Sequence, residues 1–480
     1  MKEQIEENRG EKPGISGTYP SVQEWKQVFD DFYKGKSVKI YDRYGYPELM
    51  KKEEEIAKLV GVEKDELMLV NNGMAAVVEA LESLGLKAGE TILCSPYVYG
   101  QSGEYLKELE SRGIICIKVD PGDIEEMKVQ IDRHKPKAIF AEVVGNDEPM
   151  PVLNVEELFA KTEEINQRYK EEMSLDKVLE RSLMNRAWVR KYLGSEKATT
   201  LTKEQQEKLS ELVQEFEATA RKIDQDHSYM PLRSLIKSLQ EKGIGSEVDL
   251  RLRLLEFQNL LNSAWLAKKE DGLTLVLDNT LTTPTGFDLA KKMKQTSAPV
   301  IGIESGTKFY AHDTGTLGLV YGNAEKIAQM KVRRAVSGSY LPPAVEAILP
   351  ERNPEEFKKL NKKSLETTRA LALSFSKIIG KDGITAVSYP SLPEHKNYEY
   401  AEKEMPYGAA GVFYIFCEDA WKTAQVLEDR IGKENIEYGG SFGFDITRVG
   451  VFGEHSIRIA GGREEPEKLQ AMCEAIESVE

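Results

Sequence analysis

Long apolar runs are missing from this chain. No segment of the 480 residues approaches the roughly 18 consecutive apolar residues of a membrane-spanning helix. The longest apolar stretches, 273–277 and 411–417, are only long enough for strands. The first twelve residues are charged and lack the apolar centre of a secretory leader. Cysteine is scarce: Cys94, Cys116, Cys417 and Cys473 are scattered, with no C-x-x-C pair. That usage fits free thiols in a reducing compartment, so a cytoplasmic location is expected. The five histidines lie far apart and form no H-x-x-x-H pair, so no metal site is expected. Excess positive charge is absent too. The formal net charge is −15, which argues against a nucleic-acid or anionic-membrane partner.

What is present is enough apolar residue, 40% against 30% charged, for a sizeable core. The length suggests about three structural units. Residues 1–47 are polar and punctuated by glycine and proline, and read as an arm. From Glu48 apolar residues recur at helical spacing (Leu49, Ile56, Leu59, Val60). Strand-like runs at 91–94, 114–119, 138–144, 273–277 and 300–303 alternate with amphipathic stretches such as 102–111 and 123–134. This order predicts an α/β domain over 48–332 with a mainly parallel, buried sheet. One segment breaks the rhythm. Residues 156–247 contain no convincing strand and carry Leu209, Leu212, Val213 and Phe216 at helical spacing, which predicts an all-helical insertion. Beyond residue 333 the chain reads as a smaller α+β C-terminal domain, 333–480. It has a long helix over 353–379, strands at 384–388, 411–417 and 455–459, and helices at 420–431 and 465–479. No internal repeat or low-complexity tract interrupts it.

Four local patterns carry possible chemistry. Glu304-Ser305-Gly306-Thr307-Lys308 places a lysine among small hydroxylic residues after a buried strand, where a Schiff base with a carbonyl can form. Asp278-Asn279-Thr280 ends another buried strand, and a carboxylate there needs a partner such as a cationic ring nitrogen. Asn71-Asn72-Gly73-Met74-Ala75-Ala76 opens a helix whose first N–H groups suit an anion. Tyr97-Val98-Tyr99-Gly100 offers an aromatic ring to a flat heterocycle. Each pattern alone also fits an ordinary role: a surface lysine, a turn-capping aspartate, a routine helix start, a packed tyrosine. Together, in this order, they make a binding site for pyridoxal phosphate (PLP).

These residues resemble the cystathionine/methionine-metabolism family of PLP enzymes, which includes cystathionine γ-synthase, the cystathionine lyases, methionine γ-lyase and O-acylhomoserine sulfhydrylases. Tyr41-Asp42-Arg43 is similar to the family's Y-x-R, Asn72-Gly73-Met74-Ala75-Ala76 to S-G-M-A-A, and Tyr99-Gly100 to its stacking Y-G. Glu142-Val143-Val144-Gly145-Asn146 is similar to E-x-P-x-N, and Asp278-Asn279-Thr280 with Thr283-Pro284 to D-N-T-x-x-T-P. Ser305-Gly306-Thr307-Lys308-Phe309 is similar to S-x-T-K-Y. Ser441-Phe442-Gly443 is similar to S-L-G, and 456–459 to the segment with the substrate-carboxylate arginine.

The resemblance implies the aspartate aminotransferase-like type I fold. It implies that Lys308 carries PLP as a Schiff base and serves as base at Cα, and that Asp278 holds the ring nitrogen. Gly73, Met74, Ser305 and Thr307 would take the phosphate, with Tyr41 and Arg43 reaching that of a neighbouring subunit. Tyr99 would stack on the ring and assist proton transfer near the leaving group. Asn146 would contact the ring hydroxyl and lie beside the substrate. Arg458 and Ser441 would face the substrate. It further implies elimination or replacement at Cβ or Cγ of a sulfur amino acid or an O-acylhomoserine-like substrate, by a homodimer or homotetramer with shared sites. Two other readings stand beside it: a PLP aminotransferase, and a PLP-binding, non-catalytic protein whose insertion recruits a partner.

The departures are on the substrate side. Tyr46-Pro47-Glu48 replaces Asn-Pro-Thr, Val144 replaces a proline, and 308–312 is shorter than K-Y-x-x-G-H. The insertion begins soon after Asn146, so it is expected to reach the rim of the site.

Overall fold

The computed structural model describes residues 47–172, 175–184, 186–194, 201–226, 230–244 and 272–478. Tyr41, Arg43 and all of the expected arm except Pro47 lie outside the described residues.

Helix α1, Pro47–Val60, starts at its proline and buries Leu49, Ile56, Leu59 and Val60 at the spacing of one helical face. Strand β1, Leu67–Val70, is wholly buried and leads into helix α2, Gly73–Glu82. Asn72 caps that helix by accepting the Ala75 N–H at 2.8 Å. The chain then alternates: β2 Thr91–Cys94, α3 Gly100–Ser111, β3 Ile115–Lys118, α4 Ile124–His134, β4 Ala138–Glu142, α5 Val155–Glu172. After the helical excursion come β5 Thr274–Asp278, β6 Val300–Ser305 and β7 Gly318–Gly322.

These seven strands form one sheet in the order β1-β7-β6-β5-β4-β2-β3. Strands β3, β2, β4, β5 and β6 are parallel; β7 runs antiparallel to both β6 and β1. The sheet is therefore mainly parallel, with an antiparallel pair at one side. Strand β7 does not stand out in the sequence, because glycines interrupt its apolar run. Those glycines are needed for close approach. A Cβ on Gly318 would lie 2.1 Å from the Asn72 carbonyl oxygen, and one on Gly322 would lie 2.9 Å from the Val300 carbonyl oxygen of β6. One face of the sheet packs on α2 and α3 through Met68, Ala76, Val77, Ile92, Leu106, Phe140 and Ile303.

The C-terminal part builds on helix α6, Pro354–Ser376, and a five-stranded sheet in the order β10-β11-β12-β9-β8. Its strands are β8 Ile384–Ser388, β9 Val412–Cys417, β10 Ile436–Tyr438, β11 Thr447–Phe452 and β12 Ser456–Ala460. Strands β10 and β11 were not evident in the sequence. This part and the seven-stranded sheet belong to one compact unit.

The described residues between 163 and 272 form a second compact unit. The second unit has its own core. Leu209, Leu212, Val213 and Phe216 of the helix Lys203–Asp226 bury against Leu179, Leu183, Leu235 and Leu239. Their spacing of three and four residues is the reason they share one face. No helix among the described residues is long and apolar enough to cross a membrane.

Candidate active site

Parallel strands β4, β5 and β6 end side by side at Glu142, Asp278 and Ser305. Loops leaving that edge of a parallel sheet are where ligands bind. A cavity of about 1130 Å³ opens there. It is lined by Gly73, Met74, Tyr99, Asn146, Asp278, Ser305, Thr307, Lys308 and Arg458 among others, so the structure brings these sequence-selected residues together. Ser441 lies between two lining residues, Gly440 and Phe442, and reaches the lysine.

Lys308 follows β6 by three residues and is largely buried. Its Nζ donates to Ser441 Oγ at 2.8 Å, and that hydroxyl donates to Asp313 Oδ1 at 3.0 Å. Burial pulls the amine below its ordinary value; Arg458 and Arg448 add to this, while Asp313 opposes it.

Asp278 is part-buried at the end of β5, and desolvation of its carboxyl raises it to about 6 although it accepts the Thr280 N–H at 2.8 Å. Its register partner Glu142 is buried and raised well above the carboxylate range, first by desolvation and then by Asp278. Glu142 Oε1 accepts the Tyr99 backbone N–H at 2.5 Å, which fixes the start of α3 and holds the half-exposed Tyr99 ring at the cavity. A second buried carboxyl, Glu304, lies one residue before Ser305 on the alternate face of β6. Its oxygens accept from Tyr310 at 2.7 Å and Tyr321 at 3.0 Å, and burial raises it to about 8.

At the same sheet edge the start of α2 meets the end of β6. The Gly73 and Met74 N–H groups have no acceptor within the helix. A Cβ at residue 73 would sit 2.8 Å from Ser305 Cβ, so only glycine lets the helix end approach this strand. Ser305 N–H donates to Thr280 Oγ1 at 2.7 Å, tying two strand ends together. The Thr307 hydroxyl accepts the Leu317 N–H at 3.0 Å and donates to the Leu317 carbonyl at 3.3 Å.

Arg458 projects from β12. Its Nη1 donates to Asn146 Oδ1 at 3.4 Å, its Nη2 donates to the Gly440 carbonyl, and its guanidinium lies 4.6 Å from the Phe452 ring centre. Tyr414 donates to the Asn146 carbonyl at 2.9 Å, so Asn146 is held between β9 and the arginine. Tyr414, Phe442, Phe452, Glu304 and Asp313 were not selected from the sequence. For Glu304 a signal existed, a carboxylate inside an otherwise apolar strand. Asp313 is one of 80 acidic residues and carries no such mark.

The donor set fits pyridoxal phosphate. A desolvated carboxyl raised to about 6 suits a cationic ring nitrogen, which would return it to its charged form. The glycine-bearing helix start beside Ser305 suits a phosphate, and an amine depressed by burial suits an aldehyde.

Comparison with solved structures supports the fold. The crystal structure of metB from Corynebacterium glutamicum matches with a TM-score of 0.56 and 16% identity, covering 91% of this chain and 86% of that one. Apo CalE6, a methionine gamma lyase from Micromonospora echinospora, matches with a TM-score of 0.54 and 15% identity, covering 91% and 87%. No curated protein matches the chain. The family model of Cys/Met metabolism PLP-dependent enzymes matches residues 15–169 and 253–431, well over half of the sequence, and passes over most of the helical unit. The chain therefore belongs to the Cys/Met metabolism PLP-dependent enzymes, with the type I fold and pyridoxal phosphate as its cofactor.

Proposed function

We propose that the chain catalyses elimination or replacement at Cβ or Cγ of a sulfur amino acid or an O-acylhomoserine-like substrate. The observation that supports this is the convergence of Lys308, Asp278 and Arg458 on one cavity. Pyridoxal phosphate, when bound, supplies an electron-withdrawing ring that makes the Cα–H of an attached amino acid acidic.

The protein's own groups do the rest. Lys308 is the amine that would hold the cofactor's aldehyde and, once freed, the base that takes the Cα proton; burial lowers its proton affinity, which favours the neutral amine both roles need. Asp278 keeps a proton on the ring nitrogen. The N–H groups of Gly73 and Met74, with the hydroxyls of Ser305 and Thr307, hold the phosphate; Thr307 gives up its bond to Leu317 to do so. Arg458 grips the substrate α-carboxylate with two parallel N–H bonds, oriented by Asn146 and backed by Phe452. Tyr99 covers the ring and moves a proton near the leaving group. The active unit in this reading is a homodimer or homotetramer, with Tyr41 and Arg43 reaching the phosphate of a neighbouring subunit.

The test loads the chain with pyridoxal phosphate, reduces it with borohydride and locates the label. It should fall on Lys308, and Lys308→Ala should stay colourless. Cysteine, methionine, cystathionine and O-acetylhomoserine are then assayed. Release of ammonia and a 2-oxo acid, or formation of a new thioether, supports the proposal. Amino transfer to an added 2-oxo acid with the side chain intact refutes it.

A further inference from the structure

The loop after β6 carries a carboxylate that the mechanism above leaves without a task. Asp313 Oδ1 lies 3.9 Å from Lys308 Nζ, and the two are bridged by the Ser441 hydroxyl at 2.8 and 3.0 Å. The bridge has a direction. Ser441 spends its one O–H on Asp313, so its oxygen offers only lone pairs to the lysine. The lysine must then donate an N–H to Ser441, and the lone pair of the neutral amine turns elsewhere. Lys308 lines the cavity, so elsewhere is the cavity.

The backbone is bent to achieve this. His312 and Asp313 have φ of 48° and 53°, two consecutive non-glycine residues in the left-handed region. Such strain persists only where surroundings over-determine it, and it gathers at functional sites. Here the surroundings are visible. The buried His312 ring meets Arg463 Nη2 at 2.7 Å and Arg352 Nη2 at 3.0 Å. Burial and the two guanidinium groups push that imidazole down to about 2, so it stays a neutral acceptor. The same Arg463 Nη2 donates to the Gly443 carbonyl at 3.2 Å. One buried arginine thus pins both the turn that carries Asp313 and the loop that carries Ser441.

We infer that Asp313 is a positioning residue that acts through Ser441 to aim the Lys308 amine into the cavity. The inference rests on the reading of Lys308 as the cofactor-holding base. The charged groups around the amine are Asp313 from its own loop, Arg458 and Arg448 from β12 and β11, and Asp278 and Glu142 at the ends of β5 and β4. Among them Asp313 is the carboxylate that raises the lysine's proton affinity.

The test uses the full chain, freed of cofactor, with pyridoxal phosphate itself as the probe. Imine formation joins the Lys308 nitrogen to the aldehyde carbon and releases water, and the visible band reports its rate. The rate is followed against pH for the wild type, Asp313→Asn, Ser441→Ala and the double variant. Asp313→Asn should lower the high-pH plateau tenfold or more through lost aim. It should also move the midpoint down by about one pH unit, as expected for losing a charge 3.9 Å away in a water-like dielectric. Adding Asp313→Asn to Ser441→Ala should change the plateau less than twofold. An unmoved midpoint, or the same plateau loss in both backgrounds, overturns the inference. A merely structural role would lower cofactor occupancy without moving the midpoint, and occupancy is read from the borohydride label. A wild-type chain that forms no imine at residue 308 would instead overturn the reading of Lys308.

Discussion

Replacing Glu304 by glutamine should change how stability depends on pH in a defined direction. The Glu304 carboxyl is buried, accepts hydrogen bonds from Tyr310 and Tyr321, and has no cation among its named partners. Desolvation raises it from 4.5 to about 8. The folded chain therefore binds this proton more tightly than the unfolded chain. Its contribution to stability is fully present below pH 4.5 and is lost as pH rises through about 8. At about 1.4 kcal/mol per pH unit, the loss across that window approaches about 5 kcal/mol. Glutamine has nearly the same shape and no proton to lose. Urea unfolding of both chains at each pH from 5 to 9 measures the difference, in which the other ionisable groups largely cancel. Glu304→Gln should match the wild type near pH 5, within the roughly 1 kcal/mol of a rearranged hydrogen bond. It should gain several kcal/mol on the wild type by pH 9. A difference that stays flat with pH would refute the argument, because it would mean that Glu304 is ionised throughout.

Gly73→Ala places a methyl group 2.8 Å from Ser305 Cβ, which should cost about 1–3 kcal/mol of stability and weaken pyridoxal phosphate binding tenfold or more by absorbance titration. Unchanged affinity would remove the phosphate role of this corner. Arg458→Lys keeps the charge but loses the planar fork, so KM for the amino acid should rise tenfold or more with a smaller change in kcat; an unchanged KM would exclude carboxylate binding there. Phe216→Ala empties a position in the core of the helical unit and should lower the stability of that unit by about 3–5 kcal/mol, seen as an early step in calorimetry.

Some of this was legible because it is local. Asp278 and Ser305 end adjacent parallel strands, and an apolar run closed by a polar residue shows in the sequence without any knowledge of pairing. The helix start at Gly73, the cap at Asn72 and the spacing of Leu209, Leu212, Val213 and Phe216 are likewise written in neighbouring residues. Strand β7 was not legible, since its glycines answer to Asn72 and to the strand beside it rather than to its own neighbours. Glu304 was quoted as part of a motif and given no task. Its meaning depends on Tyr321, which arrives from the next strand.

The order of residues alone determined the α/β alternation and the helical character of the interruption, because each depends on spacing within a strand, a turn or a helix; the cofactor followed from four short motifs taken together and from their resemblance to a family. Only the folded chain decided what surrounds the Lys308 nitrogen. Ser441 comes from the loop between β10 and β11 and Arg458 from β12, both more than a hundred residues away, and Asp313 faces them through two left-handed residues held by Arg463. Proton affinity and hydrogen-bond direction depend on distance and burial in space, and sequence separation does not encode either one.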